Sequence, residues 1–304
     1  MIPGRFELLL LVITLLLIPN WAMAWGPVVH LEAAEAVLSG AIAISPALLR
    51  LLTTHAKDFM YGTLAADFVI GKKHAKHHDH CHNWDVARAL LRDAREHGAH
   101  REAFMYGYIN HLGADVVAHN HIVPEMLIFH FAAKGVGHIY WEARSDQRIL
   151  SVKPHLKTVW EELSLCRFPG HDRFLENRVV PTLFSNKISS GIYRGNLFLQ
   201  QKGMWRQMFQ RIDERSKLAF GIKTLLRWTA LAAQSGARAI ENPWSKRLDH
   251  LDPIGREALA WAERKRKRLR AELKSKGETT ALDVMFSQAM AKSSTIDICH
   301  FEDD

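Results

Sequence analysis

Between Phe104 and Ile122 the chain reads FMYGYINHLGADVVAHNHI, and His111, Asp115 and His119 fall at i, i+4 and i+8. Phe104, Tyr108, Leu112 and Val116 recur at helical spacing, so the stretch is predicted to be one helix. Four-residue steps drift only about 40° round a helix, so the three polar side chains project from nearly one face. Each step advances about 6 Å, which puts the His111 and His119 backbones about 12 Å apart. A zinc-type ligand atom sits about 2 Å from its ion. His111 and Asp115 can therefore close on one ion, and His119 is better placed for a second. The helix reads as one wall of a site for several metal ions.

Four further pieces carry metal-type side chains. The first is the start of the mature chain, a free amine and carbonyl on Trp25 with His30 on the next turn. The second is Asp67. The third is a basic loop, Lys72 to Asn83 (KKHAKHHDHCHN), in which His82 directly precedes the helix opened by Trp84. The fourth is His138 with Glu142, again i and i+4. Imidazole and carboxylate suit zinc, and an i, i+4 pair binds one ion without bending the backbone. Singly, each piece has a plainer account: His30 or His138 as an ordinary histidine, Asp67 as a helix N-cap, and His74, His77, His78 and His80 as an unspecific metal scavenger. Within the loop, His78 or His80 could take the place of His82. Cys81 reads as an inert thiol, and His121 points to the opposite flank from His119.

The Trp25 amine exists only if the preceding segment is removed. Arg5, the apolar run Leu8 to Ile18 and Ala22-Met23-Ala24 form a positive region, an h-region and an A-x-A cleavage site. The run is well short of the roughly 20 residues of a membrane-spanning helix. Residues 1–24 are thus expected to be a cleaved signal peptide, and the protein is expected to be exported, periplasmic or secreted. The alternative is an uncleaved anchor.

Helical periodicity dominates the elements that must position these groups. Expected helices cover Pro27 to Gly40, Pro46 to Phe59, Trp84 to His97, the central stretch ending near Pro124, and a segment from near His138. Tyr61 to Gly71 reads as a turn-rich link carrying Asp67, and Met126 to Ala133 as a buried apolar segment. Beyond residue 150, helices are expected at 157–165, 174–185, 196–219, 222–238 and 256–276. The class is all-α: a metal-binding helical core over residues 25–150, with 151–304 a helical extension packed on it.

The chain's 304 residues, 48% of them apolar, are ample for a large core. Its formal charge of +8 fits a soluble basic surface and is compatible with an anionic substrate or membrane surface. Arg264 to Arg270 (RKRKRLR) reads as a solvated helix face or, less simply, as a phosphate contact. Three cysteines make no disulfide framework; at most one pair can form, Cys166–Cys299 being the better match.

WGPVVH after a cleavage site, then LAAD, CHNW, HLGADVVAH and HIYWE, in that order, resemble the zinc-dependent phospholipase C family, the superfamily that includes the single-strand-specific zinc nucleases. The likeness covers roughly residues 25–146. The His-x3-Asp-x3-His form of the central helix is similar to the domain of phosphatidylinositol-glycan-cleaving enzymes. The bacterial secreted phospholipases and the nucleases have a longer gap and a proline before the last histidine. The resemblance implies a helical bundle around three Zn2+ ions. Asp67, His82, His111 and Asp115 would hold one ion. The Trp25 amine and carbonyl, His30 and the bridging Asp115 would hold another, and His119, His138 and Glu142 the last. It also implies that Asp67 orients or deprotonates the attacking water. The substrate it implies is a phospholipid or other phosphodiester reached by peripheral membrane contact, with no stable protein partner. Nucleic acid is the second substrate class, and a non-catalytic metal-binding helical protein is the reading from outside enzymology.

Overall fold

The computed structural model describes residues 25–69, 76–129, 136–166, 168–181, 185–200 and 221–276, with 285, 288 and 289. The expected signal peptide, Cys299 and His74 lie outside the described residues. Those described form helices and connecting turns with no strand, so the protein is all-α as its periodicity predicts. None of the described helices is long and apolar enough to cross a membrane.

The helices are α1 (Pro27–Leu38), α2 (Pro46–Thr54), α3 (Ala56–Ala65), α4 (Trp84–Arg95), α5 (Ala99–Val117), α6 (Val123–Ile128), α7 (Val136–Val152), α8 (His155–Leu165), α9 (Pro169–Glu176), α10 (Asn186–Gln200), α11 (Ile222–Glu241) and α12 (Arg256–Lys276). Helix α5 is the axis of the bundle. Every residue from Ala103 to Val117 is buried, as expected of a helix surrounded by others. Its main partners are α3 on one side and α11 on the other. Glycines permit both close crossings. A Cβ on Gly107 would overlap the Phe59 carbonyl, one on Gly62 would overlap that of Phe104, and one on Gly113 would lie 2.7 Å from Gly236 Cα. Helix α11 thus lies against the middle of α5 although more than 100 residues separate them in the chain.

Several expectations are corrected. The helix expected over Pro46–Phe59 is two, because His55 leaves helical geometry (φ −117°, ψ 42°). The hydroxyls of Thr53 and Thr54 donate to the carbonyls of Leu49 (2.8 Å) and Arg50 (2.7 Å), a pattern that bends helices. The supposed link at Tyr61 is helical as far as Ala65, and Asp67 follows its last turn. The expected helix 174–185 lies earlier, at Pro169–Glu176, opened by Pro169. The one expected at 196–219 begins at Asn186, and residues 201–219 lie outside the described set.

The central stretch is not one uniform helix either. Its α-helix begins at Ala99 and gives way at Ala118–Ile122 to a wider π-helical turn before α6 continues. Proline at 124 explains the change: it lacks the N–H that Asn120's carbonyl would take, and its ring crowds that carbonyl in α geometry. The Asn120 amide side chain covers the disturbed backbone, donating to Val116 O (2.8 Å) and to Asp252 O (2.7 Å) in the loop before α12.

Candidate metal centre

Three elements deliver four side chains to one buried point. Helix α5 contributes His111 and Asp115, each 1% exposed. Asp67 arrives from the end of α3 and His82 from the loop before α4. That loop is anchored three times. The Tyr108 hydroxyl on α5 donates to the Cys81 carbonyl. Asn83 caps α4, accepting from the amides of Asp85 (2.7 Å) and Val86 (3.4 Å). The Trp84 indole donates to Leu251 O (2.8 Å).

The result is a tight set of donor atoms. His82 Nε2 lies 3.2 Å from Asp67 Oδ1, 3.2 Å from Asp115 Oδ2 and 3.2 Å from His111 Nε2. His111 Nε2 lies 3.1 Å from Asp115 Oδ2 and 3.7 Å from Asp67 Oδ1. Four ligands each about 2.05 Å from a tetrahedral ion stand about 3.3 Å apart. The five separations given, 3.1–3.7 Å, are of the size that such a shell requires.

A second set adjoins the first through the other carboxylate oxygen. His30 Nε2 lies 3.4 Å from Asp115 Oδ1, and the His30 ring stacks on that of His111 with centroids 3.9 Å apart. Trp25 is buried, its ring 6.4 Å from that of His30. Neither ring nitrogen of His30 makes a hydrogen bond, nor does Asp115 Oδ1, although all three are buried. Unmet polar atoms cost free energy in an interior, so their alignment fits a cation that is to be bound. His119, in the π turn, brings Nε2 to 3.6 Å from Asp115 Oδ2. Glu142 is buried on α7. The side chain of His138, on the same helix, lies outside the described residues.

Among the loop histidines whose side chains are described, His78, His80 and His82, it is His82 whose ring reaches the cluster. His80 is buried nearby, but its Nδ1 accepts the His82 backbone N–H at 2.9 Å. His78 is 73% exposed and faces Asp79.

The electrostatics suit metal ligation. Burial, reinforced by the charge of neighbouring His111, pushes the His30 pKa from 6.5 down to about 3, so the ring is neutral with a lone pair to give. Burial alone would raise the Asp115 carboxyl. The opposing charges of His111 and His119, with hydrogen bonds from His111 and His82, hold it well below the usual range, as a carboxylate.

Three residues that the sequence reading left without a role support this arrangement. Thr63 O takes the Nδ1–H of His111 at 2.9 Å, which turns the Nε2 lone pair inward. Cys81, read as inert, sets its Sγ 3.3 Å from His82 Nδ1, a contact that orients that ring with Nε2 toward the cluster. Its thiol is free, as is that of exposed Cys166, whose suggested partner Cys299 lies outside the described residues. Asp146 on α7 accepts the Val29 N–H at 3.1 Å and reaches α1 from across the bundle. One signal for it was available: His138, Glu142 and Asp146 repeat the four-residue series of His111, Asp115 and His119.

The described residues contain three convergent groupings: His30–His111–Asp115 and Asp67–His82–His111, which share His111, and His80–Cys81–His82 in the loop before α4. No curated protein and no solved structure matches the chain significantly. A family model described as zinc dependent phospholipase C matches residues 29–185, just over half of the chain, and spans all of the cluster except Trp25. With buried imidazoles and carboxylates gathered on the helix that carries the family's His-x3-Asp-x3-His pattern, this chain belongs to the zinc-dependent phospholipase C family.

Proposed function

We propose that the protein is an exported zinc-dependent phosphodiesterase that hydrolyses phospholipids. Asp67, His82, His111 and Asp115 would hold one Zn2+. The Trp25 amine and carbonyl, His30 and Asp115 would hold a second, and His119, His138 and Glu142 a third. The observation that carries the reading is the 3.1–3.7 Å spacing of the His82 and His111 Nε2 atoms from each other and from the Asp67 and Asp115 carboxylates, in a buried setting that leaves His30 and Asp115 Oδ1 without hydrogen bonds. Ions bound there would lower the pKa of water to about 7 and neutralise charge on phosphoryl oxygens.

The chain's own residues prepare that chemistry. Asp115 turns Oδ1 to His30 and Oδ2 to His82, His111 and His119, the arrangement a bridging carboxylate needs. Asp67 is 8% exposed, more than the imidazoles beside it, which suits a carboxylate at the rim that orients the attacking water and takes its proton. Thr63 O keeps His111 in the tautomer that ligation requires, and the Cys81 thiol orients the His82 ring. We read residues 25–150 as the core of the site and residues 151–304 as its support, since α11 backs the metal-bearing stretch of α5.

Purified protein should contain about three zinc ions and hydrolyse a phosphatidylcholine analogue, with activity lost on chelation and restored by zinc. Faster cleavage of single-stranded DNA would replace lipid by nucleic acid as substrate. One ion or none, without turnover on either, would leave a non-catalytic metal-binding protein. The mature chain should begin at Trp25, and a variant with one extra residue before Trp25 should lose a zinc ion.

A further inference from the structure

The start of α1 is held from the side by a carboxyl group on another helix. Gly26 is its N-cap, with extended backbone (φ −74°, ψ 169°) and no side-chain cap of its own. Pro27 needs no N–H partner, but the following amides do. Asp146, 5% exposed, meets that need. Its carboxyl group accepts the N–H of Val29 at 3.1 Å and the N–H of Val28 as well. It lies so close over Gly26 that a Cβ there would stand 2.7 Å from Oδ1 and nearer still to Oδ2 and Cγ. Gly26 O accepts the His30 N–H at 3.4 Å, so whatever fixes Gly26 fixes the backbone of His30.

We infer that Asp146 is a positioning residue of the metal centre. It clamps the Trp25–Val29 segment, so that His30 is held against Asp115 with Trp25 beside it, and Gly26 is required because any side chain there would push the clamp away. The inference rests on the metal-centre reading above. It adds a mechanical link: α7 carries Glu142 and, one turn on, the carboxyl group that seats the start of α1. The chain terminus is thereby tied to the same helix that supplies the third group of candidate ligands. Ligand positioning of this kind is worth about 10–100-fold in metal affinity.

Two measurements on the exported full chain test it. Hydrogen exchange on the metal-free protein reads the clamp itself, and zinc competition with a chelator reads its consequence. Asp146→Ala should speed exchange at Val28, Val29 and His30 and weaken zinc binding by about 10–100-fold. Asp146→Asn, which keeps an acceptor oxygen and the shape, should stay close to wild type. Gly26→Ala should reproduce the loss by steric displacement, and adding it to Asp146→Ala should cost nothing more, because the two act through one contact. If Asp146→Ala does not fold, Gly26→Ala against Asp146→Asn decides the matter by the same readouts. A lowered melting temperature with unchanged exchange at those amides and unchanged chelator competition would overturn the inference. If no form binds zinc, the metal-centre reading fails, and exchange in the metal-free protein still decides whether the clamp exists.

Discussion

Two histidine- and aspartate-rich regions lie along helix α5, and only one of them is built to hold metal. Near its N-terminal end, His171 Nε2 pairs with Asp58 Oδ1 at 2.7 Å and His55 Nδ1 lies 3.7 Å from Asp58 Oδ2. His100 stands 5.6 Å from the His171 ring, and Phe104 stacks on that ring at 4.3 Å. The residue types match those of the metal centre, but the arrangement does not. The groups form a chain of pairs, with His171 on one oxygen of Asp58 and His55 on the other, and His55 and Asp58 are 28% and 22% exposed. Two to four turns further along α5, the lone pairs of several side chains meet at one buried point. The first region docks α9 onto α3 and α5. The second leaves donors facing each other that only a cation reconciles. Convergence in a dry setting, rather than abundance of imidazole, separates a site from a hydrogen-bond network.

The comparison can be broken most severely at Asp115. Asp115→Asn should reduce phosphodiesterase activity on the order of 10³-fold and release bound zinc, measured by turnover and metal analysis; retention of full zinc would remove the bridging role. A smaller effect concerns protons. The folded His30 ring titrates near 3 and the unfolded ring near 6.5. The unfolded chain therefore takes up the proton first as pH falls. The contribution is whole above about pH 6.5 and is lost progressively toward pH 3. In metal-free protein the loss should reach a few kcal/mol, at about 1.4 kcal/mol per pKa unit. His30→Gln should flatten that acid limb in denaturant titrations at pH 7 and pH 4, and an unchanged limb would assign it to other groups.

Asp58→Asn probes the docking region. It should cost about 1–2 kcal/mol of stability while leaving zinc content at the wild-type level; loss of zinc there would erase the distinction drawn above. The gentlest test is Cys81→Ala, which removes the partner of His82 Nδ1. Zinc affinity should fall about tenfold, the low end for a group that orients a ligand, and no change would mean that the loop anchors alone orient the ring.

The all-α class, the limits of α4 and α12 and the polar face of the central helix follow from local pattern, because helical periodicity is written in neighbouring residues. The series His111, Asp115, His119 was legible for the same reason. The π turn was less so, although Pro124 marks its cause. Asp67, placed by sequence in a link, stands at the end of a helix whose register is set by Gly62 and Gly107 meeting across a crossing. Thr63 enters through its backbone carbonyl, a group that every residue carries and no motif displays.

The sequence by itself determined which side chains could bind metal and which of them share a helix face. Only the tertiary structure decided that His82, rather than His78 or His80, reaches the cluster, that Cys81 backs it, and that the His171 network at the other end of α5 does not converge. Spacing along a helix constrains direction over a few turns, whereas meeting within 3–4 Å of residues far apart in the chain depends on how closely the backbones pack. Here that packing was set by glycines and buried hydrogen bonds whose partners lie up to 167 residues away.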